Sequence, residues 1–333
     1  MDSRERVTRT LTFARSDRIP VHLWTLPGTV SRYGERLRRL LDSHPQDIID
    51  TDYRDPLLDP RHYKAGEYQD AWGCTWRNLQ DGIIGEVKQA PLSDLRALTH
   101  YRAPLDSLAY GWDRVAESVK RRRDRFCLGG NVSLFERMQF LRGTENLMMD
   151  LAEGRPEADT LLGIVFDFYK KFVGRWLEFD IDGVGFFDDW GHQSALLISP
   201  SIWRRVFKPA YRQLIQTVKA SGRFVFFHSD GHISEIYQDL IDLGVDALNS
   251  QLWCMGVPEL ASRFAGKVTF WGEISRQDIL PKGTPSDVRA AAQLMKDRLF
   301  VNGGGLIGQS EAGPDVPFEN IRELLLCWND GSR

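Results

Sequence analysis

Short apolar runs alternate with longer helical periods through the second half of the chain. The run "RFVFFHSD" (223–230) is aromatic and β-branched before it turns polar, which is typical of a strand buried on both faces. The later segment "SDVRAAAQLMKDRLF" (286–300) instead repeats its apolar residues at helical spacing. Strands and helices in alternation predict βα units that build a parallel sheet.

The strand-like runs together number about eight, which is the count of a barrel. In chain order they are "IPVHLW", "PQDIIDTDY", "FCLGGNV", "DGVGFFDD", "RFVFFHSD", "VDALNSQ", "KVTFWGEI" and "GGLIGQSE". We therefore predict an α/β fold, a (β/α)8 TIM barrel, which needs about 250 residues and tolerates insertions. Residues Glu67 to Leu92 alternate and turn at Gly82, which predicts a hairpin-like insertion in the N-terminal half. Because no Gly, Ser or Pro-rich linker divides the chain, a single domain over residues 1–333 is expected.

Composition narrows the class of protein. The chain has 333 residues, of which 42% are hydrophobic and 27% charged, as in an ordinary globular enzyme. Its net charge of -3 gives no electrostatic reason to expect a nucleic acid partner. A membrane partner is not expected either, because no window approaches the roughly 18 apolar residues of a span. The four cysteines are widely spaced and the N-terminus is charged, so a reducing, cytoplasmic location is predicted.

Polar residues end five predicted strands in succession. In a parallel barrel the residues that meet substrate lie at these C-terminal strand ends. The polar endings are Asp188 and Asp189, His228 to Asp230, Asn249 to Gln251, Glu273, and Gln309 to Glu311. One such ending is explained by turn or cap chemistry, but five in succession favour a functional site.

His228 and Asp230 are the first candidates for metal ligands, because side chains two positions apart on a strand share a direction. Glu311 ends the last predicted strand and completes the set. An imidazole and two carboxylates suit a divalent ion with an open position. The alternatives are a core histidine at His228 and a turn or helix cap at Asp230.

Further candidates surround this predicted metal set. Asp188, Asp189 and His228 are the predicted catalytic residues. Because adjacent carboxylates point in different directions, only one of the two aspartates is expected to face the barrel mouth, and a cap or turn is the alternative for the other. The predicted substrate-binding residues are Trp24, Gln193, Gln251 and Glu273. Aromatic residues near strand ends can line a pocket, but most buried aromatic residues belong to the core.

Several stretches resemble the uroporphyrinogen decarboxylase superfamily over nearly the whole chain. They are "SRERVTRTLTFARSDRIPVHLW", "DDWGHQSALLISPSIWRRVFKPAYRQLI", "FHSDG" with "DLIDLGVDALNSQ", and "GGLIGQSEAGPDVPFENIREL". The likeness is closer to the cobalamin-linked methyltransferase branch and its uncharacterised bacterial relatives than to the haem-pathway decarboxylases. The resemblance implies a (β/α)8 barrel.

The methyltransferase branch holds zinc with a His-x-Cys pair and a later cysteine. Matched to this sequence, the resemblance implies His228, then Asp230 for the first cysteine and Ser310, with Glu311 beside it, for the second. Zinc remains the first choice of metal, while carboxylate ligands widen the choice toward Fe or Mn.

Three functions follow as hypotheses from the resemblance. The first is metal-assisted, corrinoid-linked methyl transfer on a small polar substrate, with the corrinoid supplied by a partner carrier protein. The second is a uroporphyrinogen-type decarboxylase, ranked lower because "WTLPGTVSRYG" replaces the family's arginine-rich "RQAGRY" motif, which meets substrate carboxylates. The third is a non-catalytic barrel that binds a corrinoid or another small ligand. A homodimer is also considered.

Overall fold

The computed structural model describes residues 1–51 and 60–329. Its strands are β1 Val21–Thr25, β2 Ile48–Asp50, β3 Gly66–Gln69, β4 Thr75–Asn78, β5 Glu86–Gln89, β6 Phe126–Val132, β7 Gly183–Phe187, β8 Phe224–Ser229, β9 Ala247–Ser250, β10 Thr269–Trp271 and β11 Leu306–Ala312. Eight of these strands are parallel and lie in the order β1-β11-β10-β9-β8-β7-β6-β2. With helices around them they form a nearly closed (β/α)8 barrel, as predicted. The end of the predicted run "PQDIIDTDY" lies outside the described residues.

Helices follow the strands and cover the outside of the barrel. They are α1 Ser3–Leu11, α2 Pro27–Ser43, α3 Val115–Arg121, α4 Phe135–Arg142, α5 Thr144–Glu153, α6 Pro156–Trp176, α7 Pro200–Ala220, α8 Tyr237–Leu243, α9 Leu252–Met255, α10 Val257–Phe264, α11 Ile279–Lys282, α12 Pro285–Leu299 and α13 Phe318–Asn329. Short 3₁₀ helices occur at Pro60–Tyr63, Leu95–Thr99 and Leu105–Ala109. Every helix in the described part of the chain is too short or too polar to cross a membrane.

Local sequence signals explain where several helices begin and end. Ser199 caps α7 by accepting a hydrogen bond from the Ile202 backbone N–H at 3.3 Å, and Pro200 occupies the first turn. Gly244 ends α8 in the left-handed conformation with φ of 100°, which glycine adopts readily. Thr284 and Asp287 form a capping box at the start of α12.

Asp47 joins β1 to the segment before β2, where the barrel closes, through its backbone and its side chain. The Asp47 backbone N–H donates to the Val21 carbonyl at 2.9 Å, and the Asp47 carboxylate accepts from the Val21 N–H at 2.8 Å. Arg6 and Arg18 pair with the same buried carboxylate at 2.6 and 2.7 Å. The Asp47 carboxylate thus replaces a continuous series of backbone hydrogen bonds between β1 and β2.

The predicted insertion is a separate antiparallel sheet of three strands in the order β3-β4-β5. Its turn lies against the first turn of α2, where the Gly28 N–H donates to the Gly82 carbonyl at 3.1 Å. A Cβ on Gly82 would lie 2.8 Å from the Gly28 Cα, so a side chain there would force the two segments apart. The insertion sheet therefore sits at the C-terminal end of the barrel strands.

Candidate active site

His228 and two aspartates form a compact cluster at the C-terminal ends of β7 and β8. The His228 Nε2 lies 3.5 Å from an Asp189 oxygen and 3.5 Å from an Asp230 oxygen. One ligand atom from each of the three residues lies within 4.8 Å of the others. The Asp230 backbone N–H also donates to Asp189 at 2.7 Å, which ties the two strand-end loops together.

The donor set of this cluster fits a divalent cation. One imidazole and two carboxylates are ligands that zinc and harder first-row ions accept. The Asp189 and Asp230 side chains are 35% and 33% exposed, so a bound ion would keep a side open to substrate. Burial and the nearby Asp230 charge raise the Asp189 pKa, against the opposing effect of His228.

Aromatic side chains line the side of the cluster that faces the barrel interior. The Trp24 ring lies 5.5 Å from the His228 ring and the Phe187 ring lies 5.7 Å from it, both measured between centroids. Trp24 was predicted to bind substrate, and the structure puts it beside His228, half-buried. Its exposed part can therefore contact a molecule held at the cluster.

Arg276 links three carboxylates beside this cluster. Its guanidinium contacts Asp230 directly, donates to Glu311 at 2.9 Å and donates to Glu273 at 3.1 Å. Burial lowers the Arg276 pKa, but the surrounding carboxylates outweigh burial and raise it. Sequence reasoning missed Arg276 because it lies in a loop past the strand end; its only signal was its position three residues after Glu273.

Glu273 is a buried carboxyl group next to Arg276. Its exposure is 2%, and one of its oxygens finds no hydrogen-bond partner within the described part of the chain. Burial raises the Glu273 pKa to about 8, and the charges of Asp230 and Glu311 add to this effect while Arg276 opposes it. Burial therefore favours the protonated form of Glu273.

Asp188 points away from the cluster, because successive side chains of an extended segment point to opposite sides. It is fully buried and accepts from the backbone N–H groups of Leu134, Phe135 and Glu136 at 2.7 to 2.8 Å. The Tyr211 hydroxyl donates to it as well. Since both oxygens already accept hydrogen bonds, the geometry gives no support to the catalytic role predicted for Asp188. Its carboxylate instead fixes the first turn of α4.

Glu311 was predicted as a metal ligand, but it does not belong to the cluster around His228. Its carboxylate is paired with Arg276, and the three-residue cluster in the described chain contains Asp189 in its place. The strands explain the difference: Asp189 follows β7, which pairs directly with the β8 strand of His228, whereas Glu311 belongs to β11 on the far side of β9 and β10.

The two glutamines predicted to bind substrate, Gln193 and Gln251, lie in the segments after β7 and β9. The Gln193 side chain is exposed and donates to the Gln251 side chain at 3.4 Å. Gln251 follows β9, the strand next to β8. Their substrate-binding role stays a prediction.

A cavity of about 710 Å³ lies between the insertion sheet and α4. Its lining includes Trp76, Glu136, Arg137 and Phe140. Its size is that of a small-molecule site. Burial raises the Glu136 pKa well above its usual value, and the Asp189 charge raises it further, so this wall of the cavity lies near the cluster. Sequence reasoning missed Glu136 because it lies inside a helix.

Comparisons with known proteins agree with this architecture. The family model of uroporphyrinogen decarboxylase (URO-D) matches residues 70–329. A methyltransferase from Methanosarcina mazei superposes with a TM-score of 0.75 at 17% identity, covering 99% of both chains, which supports the fold. The YdhT protein from Bacillus subtilis reaches a TM-score of 0.48 at 10% identity, over 99% of this chain and 88% of that one. A search of curated proteins gives no match.

Proposed function

Because the chain belongs to the uroporphyrinogen decarboxylase family, we propose that it is a metal-dependent enzyme that transfers a methyl group on a small polar substrate. The observation that carries the proposal is the approach of His228 Nε2 to the Asp189 and Asp230 carboxylates, 3.5 Å in each case. The Methanosarcina mazei protein that superposes on this chain is a methyltransferase, which supports this reaction among the many that barrels host. The corrinoid carrier, the homodimer and the cytoplasmic location stay predictions.

The residues of the cluster have distinct roles in this proposal. Asp189, His228 and Asp230 hold the divalent cation, with zinc as the first choice. When bound, the cation supplies a Lewis acid that lowers the pKa of a thiol, alcohol or water. Arg276 orients Asp230 through their direct contact. Trp24 covers the barrel side of the cluster, where its ring limits the access of water to the reacting group.

The charge of the site supports a neutral or cationic substrate. Asp230 and Glu311 share one guanidinium, that of Arg276, while Asp189 lies beside Asp230, and burial favours the protonated form of Glu273. A bound divalent cation would balance this excess of negative charge. Uroporphyrinogen carries many carboxylates, and the Arg276 guanidinium is already paired with three carboxylates of the chain, which favours methyl transfer over the decarboxylase alternative. The cavity beside α4 has room for a small molecule.

An activity assay on two histidine variants tests the proposed reaction. The zinc-loaded full chain is mixed with methylcobalamin and a panel of small thiols and alcohols, and methylated product is measured. We expect turnover by the wild type and a loss of at least about 100-fold in H228A, which removes a metal ligand. The matched control is H192A, because His192 is exposed in the loop after β7 and lies outside the cluster.

Two results would contradict the proposed reaction. Equal turnover by H228A and wild type would remove the cluster from the chemistry. Zinc binding without turnover of any acceptor would favour the non-catalytic binding barrel, and coproporphyrinogen formed from uroporphyrinogen III would favour the decarboxylase.

A further inference from the structure

The second ring nitrogen of His228 has a single, short contact. His228 Nδ1 lies 2.5 Å from the Asn249 side-chain oxygen. Asn249 is directly opposite His228 in the parallel pairing of β8 and β9, and it is fully buried. The orientation of the Asn249 amide therefore decides which nitrogen of His228 carries the proton.

A backbone carbonyl fixes the orientation of the Asn249 amide. The Asn249 Nδ2 contacts the Trp271 carbonyl oxygen and also lies 2.7 Å from the Gln309 Oε1. A backbone carbonyl can only accept, so the atom facing Trp271 must be the NH₂ group. The amide oxygen then faces His228, and an oxygen of this kind can only accept.

It follows that Nδ1 of His228 carries a proton, and in the neutral imidazole Nε2 then keeps a lone pair. That lone pair faces the Asp189 and Asp230 oxygens at 3.5 Å. In that neutral form three atoms that accept hydrogen bonds or bind metals point at one another, an arrangement that a divalent cation would stabilise. Metal-ligating histidines in general donate their other N–H to an oxygen, which fixes the tautomer.

We propose that Asn249 is a positioning residue that holds His228 in the Nδ1–H tautomer, so that Nε2 stays available to a divalent cation. The residues involved lie on four neighbouring strands, from β8 to β11, and the sheet fixes their spacing. The inference rests on the proposed function, because it assigns Asn249 a part in the same cation site. Neither the polar strand end nor the resemblance assigned Asn249 a role.

A zinc titration of Asn249 variants gives the first test. Asn249→Leu keeps the volume and removes the acceptor, and we expect the zinc dissociation constant to rise by about 10- to 100-fold. Asn249→Asp keeps an oxygen toward His228, so its zinc affinity should fall less than that of N249L, even if its stability falls. The matched control is Asn320→Leu, because Asn320 is a buried amide that donates to two backbone carbonyls far from the cluster.

A nitrogen NMR spectrum of the cation-free protein gives the second test. The full chain is labelled with ¹⁵N-histidine, the His228 signals are assigned with H228Q, and spectra are taken near pH 9, where histidines are ordinarily neutral. We expect His228 of the wild type to be protonated on Nδ1 and this preference to be lost in N249L.

The outcomes separate this inference from the proposed function. An Nε2–H tautomer in the wild type, or zinc affinity that is equal in N249L and the wild type, would overturn the role of Asn249. An Nδ1–H tautomer that disappears in N249L would support that role even if the protein had no methyltransferase activity.

Discussion

Glu273 combines full burial with an oxygen that lacks a partner among the described residues. Its pKa is raised to about 8 by burial first and by neighbouring carboxylates second. A glutamate in an unfolded chain titrates near about 4.3. The folded state therefore binds this proton more tightly than the unfolded state. The stabilisation of the folded state by this bound proton is fully present below about pH 4.3 and is lost as the pH rises to about 8.

Glu273→Gln should remove this part of the pH dependence, because glutamine stays neutral at every pH. Between pH 5 and 8 the wild-type free energy of unfolding should fall relative to that of E273Q by up to about 1.4 kcal/mol for each pH unit. Urea denaturation at a series of pH values measures the difference. The control is E319Q, since Glu319 is exposed, and parallel curves for wild type and E273Q would refute the expectation.

Helix α4 depends on a carboxylate from a different strand end. Asp188 accepts the first N–H groups of this helix, which would otherwise lack acceptors. Asp189, one residue later, faces the open cluster instead. Two adjacent residues are thus expected to affect different properties.

Asp188→Ala should lower the free energy of unfolding by about 3 kcal/mol, because it leaves buried N–H groups without an acceptor. Asp189→Ala should cost about 1 kcal/mol or less, since its side chain is partly exposed, and should weaken metal binding. Thermal or urea unfolding together with a zinc titration measures both. Equal stability losses in the two variants would contradict the assignment.

Element boundaries show which parts of this molecule the sequence could predict. The predicted run "FCLGGNV" coincides with β6, and the predicted insertion is the β3–β5 sheet. These features depend on local patterning and turn residues, which a sequence displays. The roles of Arg276 and Asn249 depend on contacts across strands and loops, so the polar strand end at Asn249 and the position of Arg276 after Glu273 did not reveal them. Glu311 was predicted as a metal ligand from its position at a strand end. Strand order alone does not give the distances between side chains at the barrel mouth, so the sequence could not show that Glu311 pairs with Arg276.

The barrel as a whole gathers charge at one end. Residues from β7, β8, β10 and β11 converge there, although the chain carries a net charge of only -3. The strand ends supply Asp189, His228 and Asp230, while the insertion sheet and α4 border the adjoining cavity. The candidate cluster therefore depends on the nearly closed sheet and on no single element.

Metal content of purified wild type, D189N and E311Q decides whether Asp189 is the third ligand. Each protein is loaded with zinc, freed of excess ion and measured by mass spectrometry of the metal, with circular dichroism to verify the fold. We expect about one zinc ion per chain in the wild type and in E311Q, because the Glu311 carboxylate is paired with Arg276, and a loss of zinc in D189N. Zinc retained by D189N, zinc lost from E311Q alone, or no zinc in the wild type would contradict a cation held by Asp189, His228 and Asp230.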